Sequence, residues 1–434
     1  MQNKYIFHII LANLFWSFVP VLVSDLFSSI SIVMVVFLRF FTSGIVLLLL
    51  ALFLVFYNNK FTNNEKLPLI KIFKCCTLDK NEGFSNLRYI LYFVLMGFFG
   101  IILHIFGYFF ALKITSISFA LIGFQLSVII IAFYEHGVRL ERLDIFKTLY
   151  LLILIFSIFI IIFVKFQGSI TSSFIGWFYI MLFAVCVSFL HIGVIKDTYT
   201  PFEVNLINKN INFKIIRMLI KISLIFLSGI ALLFPFILFI YFIPIEINLH
   251  NEIILFIEEF SNLFGILFNW KMIILIFFST IIPYGLMFIA SVNWNPYNLT
   301  YSQWISILTI IEPTCSILLG VIFTNEYFPI EYLIIVLFLL IISILFRYAH
   351  EARNKVNAYI LLKIKQGLLD TLPIKLLKLN GVCCVQTLIG THDLLLNIKT
   401  NSIKDVYKLI NEEIRRIDGI GNLEILFINK IKKI

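Results

Sequence analysis

Charged side chains are scarce in this chain. Asp, Glu, Lys and Arg together make up 13% of the 434 residues, whereas 61% are hydrophobic and 17% are aromatic. Soluble domains carry about 25% charged residues, and a soluble core cannot absorb this much apolar surface. The scarcity of charge therefore excludes an ordinary soluble protein.

The usual signatures of catalysis are also missing. The sequence has no Gly-rich phosphate loop with Lys and Ser/Thr, which argues against ATP hydrolysis. It has no His-x-x-x-His metal pattern, no Gly-x-Ser-x-Gly elbow and no paired carboxylates in a credible setting. Its six cysteines lack the spacing of a metal site or a disulfide framework. We therefore predict no enzymatic activity, no cofactor and no metal.

Long apolar runs are abundant instead. A helix needs about 20 apolar residues to cross roughly 30 Å of hydrocarbon. The sequence therefore predicts an all-α polytopic protein in the lipid bilayer, with ten transmembrane spans. Their predicted limits are 5–25, 31–57, 89–112, 116–135, 145–165, 174–195, 217–243, 272–292, 301–323 and 330–347.

The distribution of Lys and Arg predicts the orientation of these spans, because basic residues favour the cytoplasmic side. Loops 58–88, 136–147 and 196–221 are rich in them. The alternate loops contain almost none, only the single residues Lys113, Lys165 and Lys271. We expect a multi-pass protein of the cell membrane with both termini in the cytoplasm. Basic residues beside anionic headgroups also account for much of the net charge of +10, so we expect no nucleic-acid partner.

Ten spans divide into two sets of five, and the odd number inverts the second set relative to the first. This arrangement predicts the 5+5 inverted repeat that is common in secondary transporters. The predicted domains are 1–165 for the first repeat, 166–349 for the second, and 350–434 for a C-terminal segment that we call the tail. Glu326 follows the ninth span, and its expected counterpart after the fourth span is Glu141 or Glu135.

Several stretches resemble the EamA-type transporters of the drug/metabolite transporter superfamily. "LTIIEPTCSILLGVIFTNEYFPIEYLIIVLFLLIISIL" looks like their final helix pair, in which a Glu-Pro opens a helix and a Glu closes it. "LANLFWSFVPVLVSDLFSSISIVMVVFLRFF" looks like their first two helices, with Asn13, Trp16 and Arg39 at typical places. The resemblance covers about 5–347 and implies a transporter with a cavity between two halves.

Ionisable residues within a span are costly, so each one needs a partner or a water-filled cavity. Glu312 is the strongest candidate for substrate or proton contact, because Pro313 breaks the helix beside it and frees backbone carbonyls. Arg39 could bind a substrate carboxylate, snorkel outward, or hold a neighbouring helix. Other residues that could line the cavity, or pack helices together as polar glue, are Asn13, Trp16, Gln125, Tyr284, Gln303 and Trp304.

The tail follows a different pattern. Alternating residues in "NAYILLKIK", "VCCVQTLIG", "HDLLLNIKT" and "NLEILFINKI" predict four strands, and "LLDTLPIKLLKLNG" and "SIKDVYKLINEEIRRIDG" have helical spacing. The order is βαββαβ, which predicts an α+β ferredoxin-like domain.

"LNGVCCVQTLIGTHDLLLNIKT" resembles the effector-sensing domain of the Lrp/AsnC regulators over about 357–431. The resemblance implies a domain that forms a homodimer through its sheets and binds an amino acid around Gly390, Thr391, His392 and Asp393. Alternatively, this turn connects two strands and the domain only dimerises.

The sequence thus predicts a secondary transporter, an exporter or permease, of small metabolites. Amino acids or related compounds are the favoured small-molecule cargo, because the tail resembles an amino-acid sensor. The alternative is a membrane-anchored receptor whose spans do not transport and whose tail signals to a partner.

Overall fold

The computed structural model describes most of both predicted parts of the chain. The described residues are 2–61, 66–67, 91–139, 144–166, 174–195, 203, 206–207, 209–210, 212–243, 246–292, 294, 299, 301–324, 326–353, 356–365, 367–369, 371–377, 379, 381–400 and 403–427. Most of loop 58–88, and the side chains of Glu135 and Glu141, lie outside them. The chain packs as two compact units, one of Met1–Ile130, Ile153–Asn295 and Thr300–Ile344 and the other of Ile131–Leu152, Pro296–Leu299 and Leu345–Ile434.

All ten predicted spans are helices that are long and apolar enough to cross a membrane. In chain order, spans 1 to 10 cover Tyr5–Leu26, Ile32–Phe61, Leu91–Ile114, Ile117–Tyr134, Ile145–Lys165, Phe174–His191, Phe213–Phe242, Trp270–Ser291, Gln303–Phe323 and Ile330–Ala352. The last helix runs Ile330–Arg353, past its predicted end at Arg347. The buried residues there are polar, and Arg347 Nη2 pairs with Glu351 Oε1 at 2.9 Å one turn later, so a prediction based on hydropathy ends too early.

Several spans are interrupted rather than continuous. Span 1 consists of helices Gln2–Ser17 and Val19–Leu26, span 4 of Ile117–Ala120 and Ile122–Arg139, and span 9 of Tyr301–Leu308 and Ile311–Phe323. Spans 3 and 8 contain wider π-helical turns at Leu95–Leu103 and Phe277–Ile281, followed by α-helices His104–Ile114 and Ile282–Val292. Such turns leave backbone carbonyls without their ordinary partners and often occur at functional sites.

An additional helical segment joins spans 7 and 8. It consists of helix Ile247–Glu259, a 3₁₀ turn Phe260–Asn262 and helix Leu263–Leu267. Glu246 caps its start by accepting hydrogen bonds from the Asn248 and Leu249 amides at 3.0 and 2.7 Å. We call 246–267 the outer helix segment, after the side of the membrane predicted for it.

The tail is an antiparallel four-stranded sheet with helices. Strands β1 (Val356–Ile364), β2 (Val382–Thr387), β3 (Leu394–Thr400) and β4 (Ile420–Phe427) lie in the order β2-β3-β1-β4. The helices cover Leu372–Leu377 and Ile403–Lys408, and a π-helical turn Leu409–Ile414 continues the second. This confirms the predicted βαββαβ order and ferredoxin-like fold.

One face of the sheet forms the core of the tail. Ile360 and Leu396 are fully buried against helix residues such as Leu376 and Ile410. The opposite face presents Tyr359 and other side chains of the alternate register, because neighbouring strand residues point to opposite faces. No helix of the tail supplies a hydrophobic cluster for that face among the described residues.

Candidate functional site

Arg39 lies in the interior of the bundle, where span 2 meets span 8. Its side chain is 2% exposed, so it does not snorkel outward. Its Nε donates a hydrogen bond to Thr280 Oγ1 at 2.7 Å, and its Nη2 donates one to the Ser279 carbonyl at 2.9 Å. Its Nη1 is buried and has no hydrogen-bond partner among the described residues. The guanidinium is therefore held by span 8 with one nitrogen still available.

The sequence of span 8 explains why a carbonyl is available for Arg39. Pro283 has no amide hydrogen, so the carbonyl four residues earlier, that of Ser279, loses its usual helical donor. The π-helical turn Phe277–Ile281 lies at this point. Arg39 supplies the missing donor, and it is thereby oriented in the middle of the bundle.

Glu312 lies in the first turn of helix Ile311–Phe323, directly after the interruption of span 9. The side chain is buried, and its carboxylate is close enough to Arg39, Tyr108 and Tyr284 for electrostatic interaction. However, it accepts no hydrogen bond and forms no direct ion pair within the described residues. The Arg39 and Glu312 side chains are thus close enough to interact, but they are not in direct contact.

Two more buried polar atoms in this region lack partners. The hydroxyl of Tyr108 and the Nε2 of His104 are buried and have no hydrogen-bond partner among the described residues. The other ring nitrogen of His104, Nδ1, lies 3.2 Å from the Gly100 carbonyl. The large majority of buried polar atoms in proteins are hydrogen-bonded, so unpartnered ones indicate a place for a ligand or ordered water.

The aromatic residues of spans 1 and 8 form one side of this central site. The Trp16 ring packs edge-on against Tyr284, with ring centroids 5.4 Å apart, and Tyr284 packs against Phe226 in the same way. Asn13, one turn before Trp16, is buried and donates to the Ile9 carbonyl at 2.8 Å. We define the central site as Arg39, Tyr108, Tyr284, Glu312 and Trp16.

The remaining predicted cavity residues lie around spans 4 and 9. Gln125 accepts a hydrogen bond from Ser157 at 2.9 Å, and it lines a crevice with Pro313 that is too narrow for a water molecule. Gln303 is buried and Trp304 is half-buried in helix Tyr301–Leu308. These three residues form no hydrogen bond with the central site in the contacts of the described residues.

Sequence reasoning missed Tyr108, Ser279 and Thr280. Tyr108 is one of many aromatic residues in span 3, and nothing in its local pattern distinguishes it. Pro283 was the available signal for the other two, because a proline inside a span always frees a carbonyl one turn earlier.

The Gly390 turn of the tail is open on one side and braced on the other. Gly390 has φ +151° and no neighbour where a Cβ would lie, and Thr391 is exposed. The Asp393 carboxylate accepts a hydrogen bond from the Ile364 amide at 2.7 Å, and the Asp393 amide donates to the Leu362 carbonyl at 2.9 Å. Asp393 therefore joins the turn to β1.

A shallow concavity lies near this turn. His392 Nε2 is 3.7 Å from Glu424 Oε1, and Glu424 lines the concavity together with Arg415 and Asn422. The open volume is about 540 Å³, and most of its lining is polar. A carboxylate and a guanidinium in one concavity can bind the ammonium and carboxylate groups of a small zwitterion.

Two family models match separate parts of the chain. A model of the EamA-like transporter family matches residues 3–163, and a model of the Lrp/AsnC ligand binding domain matches residues 357–433. No curated protein is significantly similar to the chain. A solved structure titled "Crystal structure of protein" aligns with 81% of this chain and 100% of its own, at 14% identity and a TM-score of 0.46.

The two family matches confirm the resemblances seen in the sequence. The first indicates a multi-pass membrane transporter of small molecules rather than an enzyme, and the second indicates a ligand-sensing domain. The chain thus contains an EamA-type transporter region at 3–163 and an Lrp/AsnC ligand-binding domain at 357–433.

Proposed function

We propose that the protein is a secondary transporter of zwitterionic metabolites, with amino acids as the favoured cargo. The observation that carries this proposal is that the Arg39 guanidinium and the Glu312 carboxyl are both buried at the central site and interact without direct contact. Arg39 and Glu312 interact electrostatically but form no ion pair, and Arg39 keeps one unpartnered nitrogen.

A zwitterion satisfies both groups at once. Arg39 Nη1 and the Tyr108 hydroxyl donate to the carboxylate of the cargo, and Glu312 accepts from its ammonium group or exchanges a proton. Each ionisable residue in the membrane interior costs about 2.5–3.5 kcal/mol on insertion scales. Two such residues that do not contact each other are therefore best explained by a role in binding the cargo. Coupling to a proton or ion gradient, or exchange, supplies the energy.

The proposed topology follows the inverted repeat, with domains 1–165 and 166–349 enclosing the cargo path and both termini in the cytoplasm. In this topology the tail meets the same amino-acid pool that the transporter handles. The concavity with Arg415 and Glu424, beside the Gly390 turn, is the proposed sensing site. The face of the sheet that the tail helices do not cover supports a homodimer through the tail.

Transport assays in proteoliposomes test this function. We expect the wild type to exchange at least one of the twenty labelled amino acids, and Glu312→Gln or Arg39→Gln to lower the initial rate at least about tenfold, equivalent to about 1.4 kcal/mol. Glu331→Gln is the matched control, because Glu331 is an exposed glutamate at the start of span 10.

Size-exclusion profiles of all variants must match that of the wild type. Unchanged exchange in both central-site variants would disprove the role of the Arg39–Glu312 pair. No exchange of any amino acid, together with binding of one by the full-length protein, would favour the membrane receptor instead.

A further inference from the structure

The three lysines of the lysine-poor loops have a common arrangement. Lys113, Lys165 and Lys271 are the basic residues at the predicted outer side, and each forms an ion pair with a carboxylate. In every case the two partners come from different halves of the transporter. This pattern follows neither from the fold nor from the central site.

The first pair anchors the outer helix segment to the first half. Lys113, at the end of span 3, contacts Glu252 at 2.5 Å. The other oxygen of Glu252 accepts from the Ile32 amide at 2.6 Å, and Glu259 accepts from the Ser31 amide at 2.8 Å. These amides are at the start of span 2, where a helix has unsatisfied donors and a partial positive charge. Two carboxylates from the second half thus cap a helix of the first.

The second pair joins the end of span 5 to the residues that follow span 9, on the same predicted side of the membrane. Lys165, at the end of span 5, contacts Glu326 at 2.6 Å and donates to the Tyr327 carbonyl at 3.1 Å. Glu326 also accepts from the amide of Ser118, at the start of span 4, at 3.3 Å, and from its hydroxyl. Here a carboxylate after span 9 again binds a lysine and a helix start of the first half.

The third pair is the most exposed. Lys271, at the start of span 8, contacts Asp25 at the end of span 1 at 2.9 Å. The side chains of Lys271 and Asp25 are 27% and 64% exposed, so water and salt reach them. Exposed pairs are individually weak and are screened by ions, which suits contacts that must open repeatedly.

We propose that these three cross-half ion pairs form the outer gate of the transporter, and that the structure is the state closed to the outside. This inference rests on the transport function and orientation proposed above. Opening the outer mouth requires the two halves to separate there, and that separation breaks all three pairs and uncaps spans 2 and 4. Lysine is disfavoured on the outer side of a membrane protein, because basic residues favour the cytoplasmic side. A role in the gate explains why these three lysines are found there.

A single reporter cysteine measures the gate without using any cargo. Ser316 on span 9 is fully buried, and its hydroxyl donates to the Ser17 carbonyl of span 1 at 3.1 Å, so it lies between the halves. We place Ser316→Cys in a background with the native cysteines changed to serine. A membrane-impermeant maleimide is then applied to the outer side of sealed right-side-out vesicles.

Glu252→Gln combined with Glu326→Gln should raise the labelling rate of this reporter about tenfold, because charge-assisted bonds are lost at two of the three pairs. The matched control is Glu258→Gln combined with Glu331→Gln, which changes two exposed glutamates and should leave the rate unchanged. Equal labelling of the gate variant and the control would overturn the proposal.

A salt series covers the case in which the gate variant does not fold. With the three pairs intact, raising the salt concentration from about 0.01 to 1 M shortens the screening length from about 30 to 3 Å. This weakens the exposed Lys271–Asp25 pair most and should speed labelling several-fold. A labelling rate independent of salt would also overturn the gate. Either result can be obtained even if no amino acid is transported, so failure of the gate and failure of the proposed cargo are distinguishable.

Discussion

Arg39 shows how one side chain serves structure and function together. Two of its donors bind span 8, and the third nitrogen faces the central site without a partner. The planar guanidinium makes this division possible, because its donors point in fixed directions. A lysine could not keep both contacts to Thr280 and Ser279 while also reaching a carboxylate.

Glycines set the distance between spans 3 and 7. A Cβ built on Gly97 would lie 2.4 Å from the Ile225 carbonyl oxygen and 2.7 Å from the Gly229 amide nitrogen. The two backbones therefore touch directly, as close helix packing in membranes permits. Gly97 of span 3 and Gly229 of span 7 thus allow the two helices to pack closely.

Replacing Gly97 with alanine should destabilise the bundle. We expect Gly97→Ala to lower the free energy of unfolding by about 1–3 kcal/mol, because an added methyl group overpacks a rigid contact. Gly285→Ala is the control, since a Cβ there would meet nothing within 4 Å. The measurement is denaturant unfolding in detergent, and equal stability of the two variants would contradict the close approach.

At the scale of elements, the ten spans could be predicted because each is a long apolar run. The interruptions were harder, because hydropathy does not distinguish an α-helix from a π-helical turn. Pro313 and Pro283 are visible in the sequence, but the group that takes up a freed carbonyl comes from another span. The pairing of Arg39 with Ser279 therefore required the three-dimensional structure.

The tail shows the same limit on a smaller scale. Its strands, and the βαββαβ order of elements along the chain, were predicted from residue alternation and helical spacing. The Gly390 turn was predicted from its flanking strands. The hydrogen bond from Ile364 to Asp393 crosses between strands distant in sequence, and so does the contact of His392 with Glu424. Sequence alone therefore identified the turn without distinguishing a brace from a ligand contact.

Variants of the tail should separate these two roles. Asp393→Ala should lower the basal thermal stability of the tail, by about 1–3 kcal/mol in free energy, because the half-buried Ile364 amide loses its acceptor. Arg415→Gln should leave basal stability unchanged and abolish stabilisation by the amino-acid ligand.

Thermal-shift titration of the full-length protein against the twenty amino acids measures both effects. Lys408→Gln is the control, since Lys408 is exposed and pairs with Glu412 at 3.9 Å on the helix. Ligand stabilisation that survives in Arg415→Gln would exclude the concavity as the sensing site.

At the scale of the whole molecule, the proposed transport cycle links the central site to the outer ion pairs. Both connect the first five spans with the last five, the central site through Arg39 and Glu312 and the outer pairs through lysines and carboxylates. A cargo that separates or draws together the central charges changes the contact between the halves. Alternating access then requires that the outer ion pairs open while the two halves come together at the inner side.

The open face of the tail sheet predicts the assembly of the whole protein. Leu361 of β1 lies opposite Leu395 of β3 and Glu424 of β4, and Tyr359 lies opposite Leu426 of β4. These residues share the face that the tail helices do not cover. A second copy of the sheet can cover this face, since matching faces of identical subunits form a two-fold interface.

Leu361→Glu should therefore convert a dimer into a monomer. A carboxylate at position 361 lies directly opposite Glu424 of β4, so like-charge repulsion adds to the cost of lost hydration in the interface. We expect the dissociation constant to rise at least about tenfold, or about 1.4 kcal/mol. Leu377→Glu is the matched control, because Leu377 is 48% exposed at the end of the first tail helix. Native mass spectrometry of the full-length protein reports both species, and a wild type that is already monomeric at micromolar concentration would rule out the tail as a dimerisation module.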